Sequence, residues 1–294
     1  MSRALGLGFS LVFLAACSVT DVVNVLTPRS SFSLEKNVFY APGDRHRLDI
    51  YSPIGATGAE PVVVFFYGGS WQRGAKEDYL FVGEAFASKG FVTVIPDYRV
   101  YPDVRFPGFL EDGAAAVAWV RTTLAADRTL YLVGHSAGGY IAVMLALDPR
   151  WLGDRGLEPC ATIAATAGLS GPYDFLPVTS PALTDIFGTV EAAAATQPIS
   201  FANGGAPPLL LATGSDDETV NPSNTVRMAN RVREAGGTAD TVYYEGLDHV
   251  DMVAALASPL RGRAPVLEDV VDFFRQHTET RDAGCASLTT RRRP

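Results

Sequence analysis

Leu130-Tyr131-Leu132-Val133-Gly134-His135-Ser136-Ala137-Gly138-Gly139 is the stretch that decides the fold. It opens as a short apolar strand and closes as the start of a helix running through Tyr140-Ile141-Ala142-Val143-Met144-Leu145-Ala146-Leu147. Gly-x-Ser-x-Gly stands at the junction. A serine on so sharp a strand-to-helix turn is held in a strained backbone conformation that lifts its hydroxyl clear of the sheet. Gly134 and Gly138 flank Ser136 because a Cβ at either position would collide across the turn. The helix N-terminus behind Ser136 points backbone N–H groups and partial positive charge at the same place. Ser136 is therefore the candidate nucleophile.

Working outward, continuous apolar runs alternate with helix-like spacing. Arg47-Leu48-Asp49-Ile50-Tyr51 alternates polar and apolar, as a half-buried edge strand does. Val62 to Tyr67 and Phe91 to Ile95 are β-branched and aromatic, which suits strands buried on both faces of a parallel sheet. Helical spacing covers Lys76 to Lys89, with a stop at Gly90, and Phe109 to Leu124. Beyond the Ser136 helix, Ala161 to Leu169 and Leu209 to Thr213 read as strands, and Ser223 to Ala235 as a helix. Asp240 to Tyr244 is the last strand and Pro265 to His277 a closing helix. Phe175 to Pro208, interrupted by Pro177, Pro181, Pro198 and Pro207, is expected to arch over the site as a small lid. Strands alternating with helices predict a mostly parallel, doubly wound α/β sheet with helices on both faces.

The 294 residues, 47% hydrophobic with a net charge of −8, suit one large α/β domain. Spread acidity argues against nucleic acid, which calls for a basic stripe. The basic run Arg291-Arg292-Arg293 reads as a solvated tail. Three cysteines are too few for a disulfide framework or a cysteine-based zinc site, and Cys160 with Cys285 is left open as a pair or two separate thiols. No metal or organic cofactor is implied, and no oligomeric state is specified.

A hydroxyl becomes a good nucleophile only when an imidazole accepts its proton. Of the four histidines, His46 precedes the first core strand, His135 belongs to the Ser136 turn, and His277 ends the closing helix. His249 alone stands directly after a late strand, where loops gather at the carboxyl edge of a parallel sheet. The imidazole needs an acid partner. Asp217 is the candidate, with Asp216 and Asp174 as rivals. The chain order Ser136, Asp217, His249 is that of the α/β-hydrolases.

Five stretches then carry a resemblance: Tyr67-Gly68-Gly69-Ser70-Trp71, Asp97-Tyr98-Arg99, Gly134 to Gly139, Gly214-Ser215-Asp216-Asp217-Glu218-Thr219-Val220 and Gly246-Leu247-Asp248-His249. The sequence resembles α/β-hydrolase carboxylesterases of the hormone-sensitive-lipase-like and BD-FAE-like type, from about Asn37 to the closing helix. The resemblance implies an α/β-hydrolase fold over residues 37–278 and hydrolysis of short- to medium-chain esters. It also implies an oxyanion hole built from the N–H groups of Gly69, Ser70 and Ala137. Tyr67 stands where that family usually has histidine. Tyr67, Trp71 and Tyr98 are candidate pocket walls, and Asp97-Tyr98-Arg99 reads mainly as structural. An amide-type hydrolase (aryl formamidase or small peptidase) and a non-catalytic binding module are the alternative readings.

Met1 to Ala16 joins one positive charge to a short apolar run, too short to span a bilayer, and ends Leu14-Ala15-Ala16-Cys17-Ser18. This resembles a bacterial lipoprotein signal. It implies cleavage before Cys17, lipidation of Cys17 and outer-membrane anchoring. Residues 17–36 are then expected to be a lipidated tether, and 279–294 a disordered tail.

Overall fold

The buried runs join into one sheet whose winding direction reverses at its centre. The computed structural model describes residues 19–188 and 190–278. The strands are β1 (Phe32–Phe39), β2 (Arg47–Pro53), β3 (Val62–Phe66), β4 (Val92–Pro96), β5 (Leu130–His135), β6 (Ala165–Leu169), β7 (Leu209–Gly214) and β8 (Ala239–Tyr244). They form an eight-stranded sheet in the order β1-β2-β4-β3-β5-β6-β7-β8. β2 runs antiparallel to β1 and β4, and every later pairing is parallel. The helices are α1 (Val19–Leu26), α2 (Leu80–Ala87), α3 (Gly108–Thr123), α4 (Ala137–Leu147), α5 (Pro149–Gly153), α6 (Pro159–Thr162), α7 (Pro181–Phe187), α8 (Ser223–Glu234), α9 (His249–Ala254) and α10 (Val266–Gln276).

Every residue of β3 to β7 is buried. A parallel sheet covered on both faces demands this, and it explains why these strands read as unbroken apolar runs. α4 is buried all round, packed between the sheet and α3. α10 buries Val266, Val270 and Phe274, and the Phe274 ring stacks on Tyr131 of β5 at 4.3 Å. From β3 the chain moves to one side to make β4, then returns to the other side to make β5. The loops leaving β3 and β5 therefore part at the carboxyl edge and leave a crevice, the usual ligand position in an open α/β sheet.

Two expectations are corrected. Residues 17–36 are not a tether throughout, because from Val19 onward they belong to the folded domain. Val23 of α1 is buried, and the Asn24 side chain donates to the carbonyls of Glu77 and Asp78 and accepts from the N–H of Phe81. β1 pairs with β2 from Phe32 to Phe39 across an irregularity between Glu35 and Val38, where Asn37 has φ 59°. The stretch read as a single strand from Ala161 begins instead with α6, started by Pro159. Cys17 and the 279–294 tail lie outside the described residues. Cys160 is disulfide-bonded, and Cys17 and Cys285 both lie outside the described residues.

Candidate active site

Ser136 sits between β5 and α4 with φ 56° and ψ −123°, a region that L-residues rarely adopt. Close packing imposes that turn. A Cβ on Gly134 would lie 2.0 Å from the Gly138 carbonyl oxygen, and one on Gly138 would lie 2.0 Å from that of Phe66. The first glycine thus clears the turn itself, and the second clears the end of β3. The Ser136 N–H donates to the Leu169 carbonyl, fixing the turn to β6.

His249 is the first residue of α9, and the Asp248 carboxylate caps that helix by accepting from the N–H groups of Val250 and Asp251. His249 Nδ1 donates to Asp217, at 2.8 Å to Oδ2 and 3.0 Å to Oδ1. Asp217 follows β7 and is fully buried, and its Oδ1 also accepts from the N–H groups of Thr219 and Val220. Burial alone would raise its pKa. The hydrogen bonds from His249 and Val220 outweigh burial and hold the carboxyl below its ordinary value, so it stays ionised. With Nδ1 committed, Nε2 of His249 is the nitrogen left to receive a proton.

The rival carboxylates are engaged elsewhere. Asp216 is exposed and accepts from the Ser215 hydroxyl. Asp174 accepts from Arg227 Nε at 2.6 Å. Ser136 and His249 share no direct hydrogen bond among the described residues, and such bonds commonly tighten only when substrate is bound. His135, the residue before Ser136, packs against His249. Its ring lies 4.8 Å from that of His249, and its Nε2 is 2.9 Å from the His249 carbonyl oxygen.

The loop after β3 comes within contact distance of this group. A Cβ on Gly68 would lie 3.0 Å from Cβ of Ser136 and 3.2 Å from Nδ1 of His135. Gly69 has φ 128°, and Ser70 and Trp71 have φ 55° and 57°, so the turn is left-handed over all three. The N–H groups of Gly69, Ser70 and Ala137 have no acceptor among the described residues.

Tyr67 and Tyr98 do not wall a pocket, which corrects that expectation. Both are completely buried and stacked at 4.7 Å. Tyr67 donates its hydroxyl to Asp97 Oδ1, and Tyr98 donates to the carbonyl of Tyr67. Arg45 donates to the hydroxyl of Tyr67 and to the carbonyl of Gly74, so it clamps the loop from beneath. Trp71 is also buried, but it faces the lid, edge-on to Phe187 at 4.8 Å and to Tyr140 at 5.2 Å. Arg45 and Phe187 belong to no sequence motif, so only the fold brings them to this loop. Leu176, Pro177, Val178, Thr184, Phe187 and Thr196 help line a cavity of about 320 Å³ in the lid.

The BD-FAE family model matches residues 48–232, from β2 into α8. The chain belongs to the BD-FAE family. A prolyl oligopeptidase family model also matches residues 186–281 of this BD-FAE chain, starting at the end of α7 and including α10. A probable isoprenylcysteine alpha-carbonyl methylesterase of Oryza sativa subsp. japonica is 28% identical over 320 residues, covering 97% of this chain and 74% of its own. The chain spans 74%, 65% and 55% of three such plant relatives. A kynurenine formamidase of Salmo salar is 32% identical over 144 residues, covering 49% of this chain and 48% of its own. Among solved structures, a truncated carbohydrate esterase from gut microbiota superposes with a TM-score of 0.74 at 20% identity. The match covers 86% of this chain and 99% of that one, and it establishes the shared fold.

Proposed function

We propose that this BD-FAE member is a serine carboxylic-ester hydrolase that works through an acyl-enzyme on Ser136. The observation that carries the reading is the Asp217–His249 pair standing at the same sheet edge as the strained Ser136 turn. His249 Nε2 takes the Ser136 proton as Oγ attacks the ester carbonyl carbon. The resulting oxyanion lies against the N–H groups of Ala137, Gly69 and Ser70, each worth about 3 kcal/mol to the transition state. Collapse breaks the bond to the alcohol oxygen, which leaves with the proton from His249. Water then gives a proton to His249 and attacks the acyl carbon, and Ser136 recovers its proton as the acid departs.

The lid cavity, about 320 Å³ and mainly apolar, reaches the loop after β3 through Phe187, which packs on Trp71. In this reading it is the site of a short- or medium-chain group on one side of the ester. Ser136→Ala is the test. It should remain folded and retain only the residual catalysis of oxyanion hole and binding, roughly 10³–10⁴-fold over water. Hydrolysis of p-nitrophenyl butyrate by that variant at the wild-type rate would remove the assignment.

The formamidase similarity favours a second reading, hydrolysis of an amide-type bond by the same residues. The methylesterase names of the longer-matching relatives favour the ester. Comparing p-nitrophenyl acetate with N-formylkynurenine separates the two. A non-catalytic binding module would leave Ser136 unreactive toward a fluorophosphonate.

We further propose that Cys17 is lipidated and holds the domain at a membrane, outside the cytoplasm. The Leu14-Ala15-Ala16-Cys17 pattern supports this, as does the exposed apolar face of Val22, Val25 and Leu26 on the helix that follows. Among the described residues no helix is long and apolar enough to cross a membrane. Mass spectrometry should find a mature amino terminus at an acylated Cys17, and an unmodified terminus elsewhere would end this proposal.

A further inference from the structure

We propose that His135 is a positioning residue that locks the general base, the nucleophile and the oxyanion loop into one register. The inference rests on the ester-hydrolase reading above and goes beyond it by assigning a task to the residue preceding the nucleophile.

His135 ends β5, is buried, and is joined covalently to Ser136. Its Nε2 lies 2.9 Å from the backbone oxygen of His249. A carbonyl oxygen can only accept, so Nε2 carries the proton and Nδ1 is bare. Bare Nδ1 has no hydrogen-bond partner among the described residues and faces Gly68. One small ring thus touches the β3 loop on one side and holds the backbone of the base on the other.

The fixed tautomer matters because His249 heads a short helix whose side chain must aim Nδ1 at Asp217 and Nε2 at Ser136. The Asp217 bond fixes the ring from the carboxylate side, but a ring can still pivot about that bond. The His135 N–H fixes the backbone from which the ring hangs. Neutrality matters as well, since His249 becomes an imidazolium in each step and a second cation 4.8 Å away would oppose it. Burial, helped by the neighbouring His249, pushes the pKa of His135 down to about 3, so it is neutral across the working range. Gly68 completes the arrangement, because a Cβ there would crowd Ser136 Cβ at 3.0 Å and His135 Nδ1 at 3.2 Å.

The decisive comparison is His135→Leu against His135→Gln, both assayed well below their measured unfolding temperatures. Leucine fills the space without a donor, whereas the glutamine amide nitrogen falls near the position of Nε2. His135→Leu should lower kcat on p-nitrophenyl butyrate by about 10- to 100-fold with KM within about twofold, the signature of a misplaced catalytic group. His135→Gln should recover to within about fivefold of wild type. The rate of Ser136 labelling by a fluorophosphonate should fall in parallel in the leucine variant. A leucine variant within twofold of wild type in kcat overturns the inference, as does a glutamine variant as slow as the leucine one. If His135→Leu does not fold, His135→Asn, whose amide is one bond too short, replaces it against His135→Gln with the same two outcomes. Wild-type protein that neither hydrolyses the ester nor takes the label overturns the ester-hydrolase reading itself and takes this inference with it.

Discussion

At Asp217 two backbone N–H groups and one imidazole N–H converge on a single buried carboxylate. That convergence separates it from its neighbour Asp216, which points to solvent, and from Asp174, which pairs with Arg227. Asp217→Asn should keep the loop shape but favour the wrong His249 tautomer, lowering kcat by up to roughly 10⁴-fold. Asp216→Asn and Asp174→Asn should each stay within about tenfold of wild type, read from steady-state kinetics of purified variants. His135 yields a pH prediction. Its folded-state pKa of about 3 lies below the unfolded value of about 6.5, so between the two the unfolded chain binds the proton first. Native stability from this group is complete above about pH 6.5 and is lost as pH falls toward 3, on the order of 2 kcal/mol by pH 5. Urea unfolding at pH 7.5 and pH 5 should show His135→Gln losing less stability than wild type, and equal losses would contradict it. Ser136 and His249 were legible in the sequence because the first sits in a steric motif and the second directly follows a strand. The role of His135 was not legible, because its partner is 114 positions away and no local pattern encodes that contact.

Among the elements, legibility followed burial. β3, β4, β5 and β7 announced themselves because both faces are covered and nearly every residue is apolar. α1 and β1 did not. α1 has eight residues and exposes Val25 and Leu26, while β1 is half exposed and interrupted at Asn37, so neither displays a clean period. The turn between β5 and α4 supports a direct substitution test. Gly134→Ala and Gly138→Ala each place a methyl about 2.0 Å from a backbone oxygen that cannot move without shifting a strand or helix. Each should cost at least about 3 kcal/mol in chemical unfolding. Gly153→Ala in α5, where a Cβ would meet nothing within 4 Å, should be neutral or stabilise by up to about 1 kcal/mol.

For the whole molecule, the reversal of strand order between β4-β3 and β5 brings the carboxyl ends of β3 and β5 together. β7 and β8 then deliver Asp217 and His249 to the same edge. The alternation of strands and helices made the sheet legible, whereas the lid was legible only as a proline-interrupted stretch, since its shape comes from aromatic contacts distant in sequence. Phe187 meets Trp71, Tyr140 and Phe175, which ties the lid to the loop after β3. If the lid cavity receives an apolar group of the substrate, Val178→Trp should fill it. The kcat/KM for p-nitrophenyl octanoate should then fall about tenfold or more relative to acetate, and an unchanged ratio would place the substrate elsewhere. The central claim, an acyl-enzyme on Ser136, is tested most directly by acid-quenching the protein during turnover of p-nitrophenyl butyrate and mapping its peptides by mass spectrometry. The account predicts a butyryl adduct on the peptide containing Ser136 in wild-type protein, and none in Ser136→Ala. Ester turnover with no adduct on that peptide, undiminished in Ser136→Ala, would contradict it.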